Sequence, residues 1–183
     1  MSALLVLSGS PSASSRTALV GERLAQQLSL TGFDVHHLDL RSLPPDALLA
    51  GETDHPELRR ALAEVERADG VVVATPVYKS AYTGLLKAFL DLLPQDGLAG
   101  KTVLPLATGG TVAHVLSIDY ALRPVLAALT ARHVVAGCFL LDRSIDTSQP
   151  HGTLLEPESE QRLRRAVDEF IGALPSGPAL RAA

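Results

Sequence analysis

The run Val71-Val72-Val73-Ala74-Thr75 constrains the fold more than any other stretch of the chain. It carries no charge and is mostly β-branched, whereas a strand with one wet face alternates apolar and polar residues. A strand of this kind is covered on both faces and belongs at the centre of a parallel sheet with helices above and below. Leu4 to Leu7, Val35 to Leu40, Thr102 to Ala107 and Val134 to Leu141 supply four further runs of strand length.

Helical patterns separate these runs. Val20, Leu24 and Leu28 recur every fourth residue from Thr17 to Leu30, and Gly32 follows as a stop. A second helix starts at Pro56, capped by Asp54 or His55, with Leu58, Leu62 and Val65 facing in, and it ends at Asp69-Gly70. Leu85, Leu86, Phe89, Leu90 and Leu93 mark a third, Val115 to Ala131 a fourth and Pro157 to Leu174 the last, with Leu163, Val167, Phe170 and Leu174 inward. Pro124 interrupts the fourth: it cannot donate to the carbonyl of Tyr120, so a kink or bulge is expected there. Arg41 to Thr53 and Asp142 to Thr153 read as connections.

Five strands alternating with five helices give a doubly wound α/β fold with a five-stranded parallel sheet and helices on both faces. The order adopted is 2-1-3-4-5, the flavodoxin-like order. Residues 1–174 are expected to form a single domain, and 175–183 a frayed tail. In this order strands one and three flank the switch point, so the loops that follow them line one crevice, with the loop after strand four beside them.

The first loop is Ser8-Gly9-Ser10-Pro11-Ser12-Ala13-Ser14-Ser15-Arg16-Thr17. A strand, a hydroxyl-rich loop and a helix start bring N–H groups, hydroxyls and the positive end of a helix dipole to one point, which suits an anion. Neither GxxxxGK[ST] nor GxGxxG is present, so a polyphosphate loop is not indicated. Neutral donors with Arg16 as the one cation suit a phosphate monoester. Taken alone, the loop reads equally as a surface turn with Ser15 or Thr17 as N-cap. The second loop runs from Pro76 through Val77, Tyr78, Lys79 and Tyr82 to Gly84, and the third is Thr108-Gly109-Gly110-Thr111. A phosphate on the first loop and a flat ring against the other two would describe FMN, with the glycines permitting close backbone approach.

Other classes are disfavoured. A net charge of −4 with dispersed basic residues does not make a nucleic-acid surface. No apolar stretch approaches a membrane span, and the lone Cys138 sits in an apolar run, as expected of a reduced, cytoplasmic protein. His36 and His37 are adjacent on a strand and point to opposite faces, which is not a metal pair, and no metal is expected. There is no G-x-S-x-G elbow, and His114 has no evident catalytic partner, so no side-chain nucleophile is expected. Receiver domains share the strand order but need acidic residues where this chain has Ser8-Gly9-Ser10.

Gly9-Ser10-Pro11 with Ser15-Arg16-Thr17, Ala74-Thr75-Pro76-Val77-Tyr78-Lys79 with Gly84-Leu85-Leu86-Lys87, and the segment from Leu106 through Thr108-Gly109-Gly110-Thr111 to His114 resemble the NAD(P)H-dependent FMN reductases. The likeness is greatest to those serving alkanesulfonate monooxygenases. It runs from about Leu4 to about Leu141, and Asp119 to Pro124 looks like that subgroup's helix insertion. The resemblance implies FMN and NADPH, or NADH, as cofactors, a homodimer or homotetramer with flavin sites near the interfaces, and reduced FMN released to a partner monooxygenase. By position, Ser10, Ser15, Arg16 and Thr17 would hold the phosphate. Pro76, Val77, Tyr78 and Lys79 would border the ring, and Thr108, Gly109, Gly110 and Thr111 would meet its pyrimidine side. Tyr120 would modulate flavin exchange. Many such reductases carry a basic residue where this chain has Ser12, which leaves the nucleotide preference open. The competing readings are an FMN-retaining quinone, azo or metal-oxyanion reductase, and a flavodoxin-type carrier.

Overall fold

A computed structural model describes residues 2–148 and 154–175. Its centre is the strand foreseen from the valine run, β3 (Gly70–Pro76), buried along nearly its whole length. On one side of it lies β1 (Ala3–Ser8), followed at the edge by β2 (Asp34–Asp39). On the other lies β4 (Thr102–Gly109), every residue of which is buried. The strands are parallel, and the order 2-1-3-4-5 stands.

The fifth place differs from expectation. Instead of one strand over Val134 to Leu141 there are two short ones, β5 (His133–Val134) and β6 (Cys138–Leu141), both paired with β4. Side chains from the neighbouring helical segment explain the gap. Arg123 donates to the carbonyls of Val134 and Val135 at 2.8 and 3.1 Å, which withdraws them from the ladder. Ile118 presses on Gly137 so closely that a Cβ there would lie 2.6 Å from its side chain.

Helices cover both faces as the alternation of β1 and β3 requires. Leu5, Leu7, Val71 and Val73 point to one face, where α2 (Pro45–Ala50), α3 (Pro56–Arg67), α4 (Gly84–Leu90) and α5 (Arg123–Ala128) supply Leu48, Leu58, Phe89 and Leu126. Leu4, Val6, Val72 and Ala74 point to the other, against Val20 and Leu24 of α1 (Arg16–Leu30) and Phe170 of α6 (Pro157–Gly172). Truncating a fully buried leucine of this kind to alanine costs about 2–5 kcal/mol. The connection read over Arg41 to Thr53 in fact contains α2, started by Pro45 and ended by Gly51 at φ +72°. Six residues, the first of them Pro45 with Pro44 before it, carry too little periodicity to announce a helix. The last helix stops at Gly172, and Leu58, Ala61 and Val65 form the inner stripe of α3, with Leu62 only half-buried.

The bulge expected near Tyr120 is present. Ile118–Leu122 forms a widened turn in which the Arg123 N–H reaches back five residues to the Ile118 carbonyl. It accommodates Pro124, whose missing N–H leaves the Tyr120 carbonyl without its ordinary donor. Beyond β6, the connection expected over Asp142 to Thr153 holds β7 (Ile145–Asp146), which pairs antiparallel with β8 (Leu154–Leu155) past its end. The tail expected to fray lies outside the described residues except for Pro175, and no helix of the described residues is long and apolar enough to cross a membrane.

The two adjacent histidines do face apart. His36 Nδ1 lies 2.7 Å from Glu64 at the surface, and His37 Nε2 lies 2.7 Å from the fully buried Ser8 hydroxyl. Burial lowers the His37 pKa, against the opposing pull of Asp39 and Glu22. The unfolded chain, titrating near pH 6.5, then takes the proton before the folded one. Stability is therefore unaffected above about pH 6.5 and declines as pH falls from there through the folded-state value. Melting curves at pH 7 and pH 5 should show a smaller acid-induced drop for His37→Gln than for the wild type; equal drops would refute the assignment.

Candidate functional site

Every loop that follows a strand's carboxyl end opens on the same rim of a parallel sheet. Four of them bear on the site: residues 9–15 after β1, 77–83 after β3, 110–117 after β4 and 142–144 after β6. The first is fixed to its neighbour by Gly9, whose N–H donates to the Ala74 carbonyl at 2.8 Å. Its carbonyl accepts from the Thr83 hydroxyl, which also takes the Leu86 N–H at 3.1 Å and so caps α4. A Cβ on Gly9 would sit 2.8 Å from that of Leu86, so the close approach of loop and helix requires glycine.

From Ser12 onward the loop faces outward and joins α1. Ser15 is the N-cap, its hydroxyl accepting from the Ala18 N–H at 3.0 Å. No group among the described residues accepts from the N–H groups of Ser14, Ser15, Arg16 or Thr17. Ser12 and Ser14 bring their hydroxyls to 3.4 Å from each other, and Arg16 is exposed. Free N–H groups at the start of a fifteen-residue helix, with hydroxyls and one guanidinium beside them, form an anion cradle.

Not all predicted residues present side chains there. Thr17 and Thr108 are buried, and their hydroxyls lie 2.6 Å apart. Ser10 is buried too, its hydroxyl accepting from the Ser12 N–H at 3.3 Å. These side chains knit loops together, and Thr17 offers the rim its backbone N–H.

Pro76 ends β3, and the Val77 N–H donates to the Thr108 carbonyl at 2.8 Å. Tyr78 and Ala81 then exchange both backbone hydrogen bonds, at 2.9 and 3.1 Å, across Lys79 at φ 51° and Ser80 at φ 65°. This is a tight two-residue hairpin in which both central residues are left-handed, a conformation usually left to glycine or asparagine. It holds Tyr78 at 48 % exposure, with Lys79 at the tip. The three loops thus form one hydrogen-bonded unit, with Thr83 and the Thr17–Thr108 pair as links that the sequence did not single out. Thr83 was detectable, since Thr-Gly before an apolar run is an N-cap signal.

Gly109 is buried at the end of β4, whereas Gly110 and Thr111 are exposed. Thr111 accepts from the Ala113 N–H at 3.3 Å. His114 Nδ1 is buried under Gly109 without a hydrogen-bond partner among the described residues. No described group is arranged as a nucleophile with its base. Burial pushes the Cys138 thiol up to about 12, which leaves it protonated and unreactive. A concavity of about 750 Å³ lies at the opposite end of the sheet, lined by Asp69, Gly100 and Lys101. Lys101 there donates to the carbonyls of Glu66 and Ala68 at 2.8 and 2.7 Å and so serves the fold.

Strand order, doubly covered sheet and rim loops define a flavodoxin-like α/β protein. A flavodoxin of Streptococcus pneumoniae TIGR4 shares the fold at a TM-score of 0.64 and 18 % identity, over 95 % of this chain and all of that one (100 %). The chain belongs to the NADPH-dependent FMN reductase family, whose sequence profile matches residues 2–146. It is similar to an FMN reductase (NADPH) of Escherichia coli (strain K12), with 43 % identity over 171 residues, 93 % of this chain and 89 % of the other. It is also similar to the apo form of an NADH:FMN oxidoreductase (EMOB), at a TM-score of 0.88 and 44 % identity, over 99 % of this chain and 94 % of that structure.

The loop links make a stability prediction. Thr83→Val removes both the α4 cap and the donor to Gly9, and should lower unfolding stability by about 1–2 kcal/mol in urea titrations. Gly9→Ala should destabilise similarly by forcing Leu86 aside. An unchanged urea midpoint in both variants would contradict the role given to this contact.

Proposed function

We propose that the chain transfers a hydride from NAD(P)H to FMN that binds at the rim and leaves reduced, to be used by a partner flavin-dependent monooxygenase of organosulfur, notably alkanesulfonate, assimilation. The observation that carries the reading is the anion cradle of residues 12–17, joined by hydrogen bonds to the loops that follow β3 and β4. Ser10, Ser15, Arg16 and Thr17 hold the phosphate, largely through backbone N–H groups and the Arg16 guanidinium. Pro76, Val77, Tyr78 and Lys79 border the ring, and Thr108, Gly109, Gly110 and Thr111 line its pyrimidine side. FMN supplies the hydride-accepting ring; this chain's residues anchor, orient and release it. The single buried thiol accords with a reducing cytoplasm.

Arg16, Tyr78, Gly110 and Thr111 are all exposed at the rim, which favours an exchanging flavin. Val112, Val115, Leu116 and Tyr120 are exposed along the segment beside it, Tyr120 at 79 %. A row of exposed apolar residues supports a homo-oligomer with flavin sites near its interface. Tyr120 stands on the widened turn, where it acts on flavin exchange by shaping that interface.

The reading is tested by nucleotide oxidation with FMN, FAD and riboflavin in parallel, using NADPH and NADH separately. FMN should be preferred to riboflavin. Arg16→Ala should raise the KM for FMN about tenfold, a charged hydrogen bond's worth, with little change in kcat or in riboflavin turnover. Tight FMN with ping-pong reduction of a second acceptor would instead identify a flavin-retaining reductase. Deleting Tyr120 should yield protein that purifies with more bound flavin and turns over free FMN less well; protein that remains flavin-free and active would remove Tyr120 from the exchange step.

A further inference from the structure

The fourth rim loop, 142–144, has no part in the site described above, yet it reaches into it. Leu141 pairs with Gly109 across the sheet, so the following residue, Asp142, falls beside Gly110. Its Oδ2 lies 3.8 Å from the point a Cβ on Gly110 would occupy, and the glycine keeps the space between them open. The carboxylate has no hydrogen bond or ion pair among the described residues and is half-buried. The turn that carries it is held by hydrogen bonds on both sides. Ser144 donates to the Leu141 carbonyl at 2.8 Å and accepts from the Ser159 hydroxyl of α6 at 2.8 Å, while the Ser144 carbonyl takes the Glu156 N–H at 3.0 Å.

We propose that Asp142 accepts the hydrogen bond of the flavin N3–H and disfavours the reduced form of the flavin by its charge. The inference rests on the reading that FMN lies along this rim. The pyrimidine edge of a flavin presents two carbonyl acceptors on either side of one N–H donor. Backbone N–H groups of Gly110 and Thr111 suit the carbonyls, but the central N–H needs an acceptor. Other side chains nearby are committed or turned away. The Thr108 hydroxyl is buried against Thr17, the Thr111 hydroxyl takes the Ala113 N–H, His114 Nδ1 lies under Gly109, and Asp119 is paired with Arg123 at 2.9 Å. Asp142 is the free acceptor. As reduced FMN carries an added negative charge on the same pyrimidine ring, the carboxylate repels product more than substrate and so assists its release.

The test titrates the full chain with FMN and with 3-methyl-FMN, which lacks the N3 proton, and repeats the FMN titration with anaerobically reduced FMN. Wild type should bind FMN about tenfold more tightly than 3-methyl-FMN, and Asp142→Ala should abolish that preference. Asp142→Asn keeps an acceptor oxygen but loses the charge. It should bind reduced FMN about tenfold more tightly relative to oxidised FMN, raising the midpoint potential of the bound flavin by about 30 mV. A preference for FMN that survives in Asp142→Ala overturns the hydrogen bond, and an unshifted potential in Asp142→Asn overturns the charge effect. Failure of Arg16→Ala to weaken FMN binding would instead remove the flavin from this rim. Melting temperatures of the variants confirm that each is folded.

Discussion

The hydroxyl pair of Thr17 and Thr108, with the bond from Thr83 to Gly9, is what the site's geometry depends on. Loops at the end of a parallel sheet are separate pieces of chain, and each could move alone. Here a contact between a helix start and a strand end ninety-one positions apart ties the first loop to the third. Thr83 ties the first to the second from below, and the Val77 N–H ties the second to the third through the Thr108 carbonyl. All these groups are buried or close to it, so an unmade bond would leave a desolvated polar atom, and the loops are therefore held together rather than merely adjacent.

The same links divide the labour among residue types. Buried threonine and serine side chains set the loops' positions, while backbone N–H groups and a few long side chains are left at the rim. Anion recognition by backbone depends on conformation more than on side-chain identity, so it survives in loops of differing sequence.

Much of the architecture was legible because it depends on periodicity. The valine run of β3, the fourfold spacing of α1 and the loops after β1, β3 and β4 stand in the structure close to where the residue patterns put them. Pro124 announced the widened turn through the hydrogen bond it cannot make. What escaped was set by contacts between distant residues. The break between β5 and β6 follows from Arg123 and Ile118 of another element, and no pattern within residues 133–141 encodes it. The partner of the Thr17 hydroxyl, Thr108, is ninety-one residues away, and no local pattern points to that contact. Asp142 looked like one loop residue among twelve until the pairing of Leu141 with Gly109 put it beside Gly110.

The widened turn at Ile118–Leu122 also bears on how a chain of this kind can change length. An additional residue in a regular helix rotates everything after it by about 100°, which would swing the apolar side chains of α5 out of the core. A turn closed by a five-residue hydrogen bond confines the surplus residue to one loop of backbone, so Leu122 and Leu126 remain buried on the sheet. The surplus emerges instead as an outward-facing Tyr120. A single-codon insertion or deletion at this point can thus remodel the surface beside the rim while the sheet beneath keeps its register, which makes the turn a natural place for related chains to diverge without refolding.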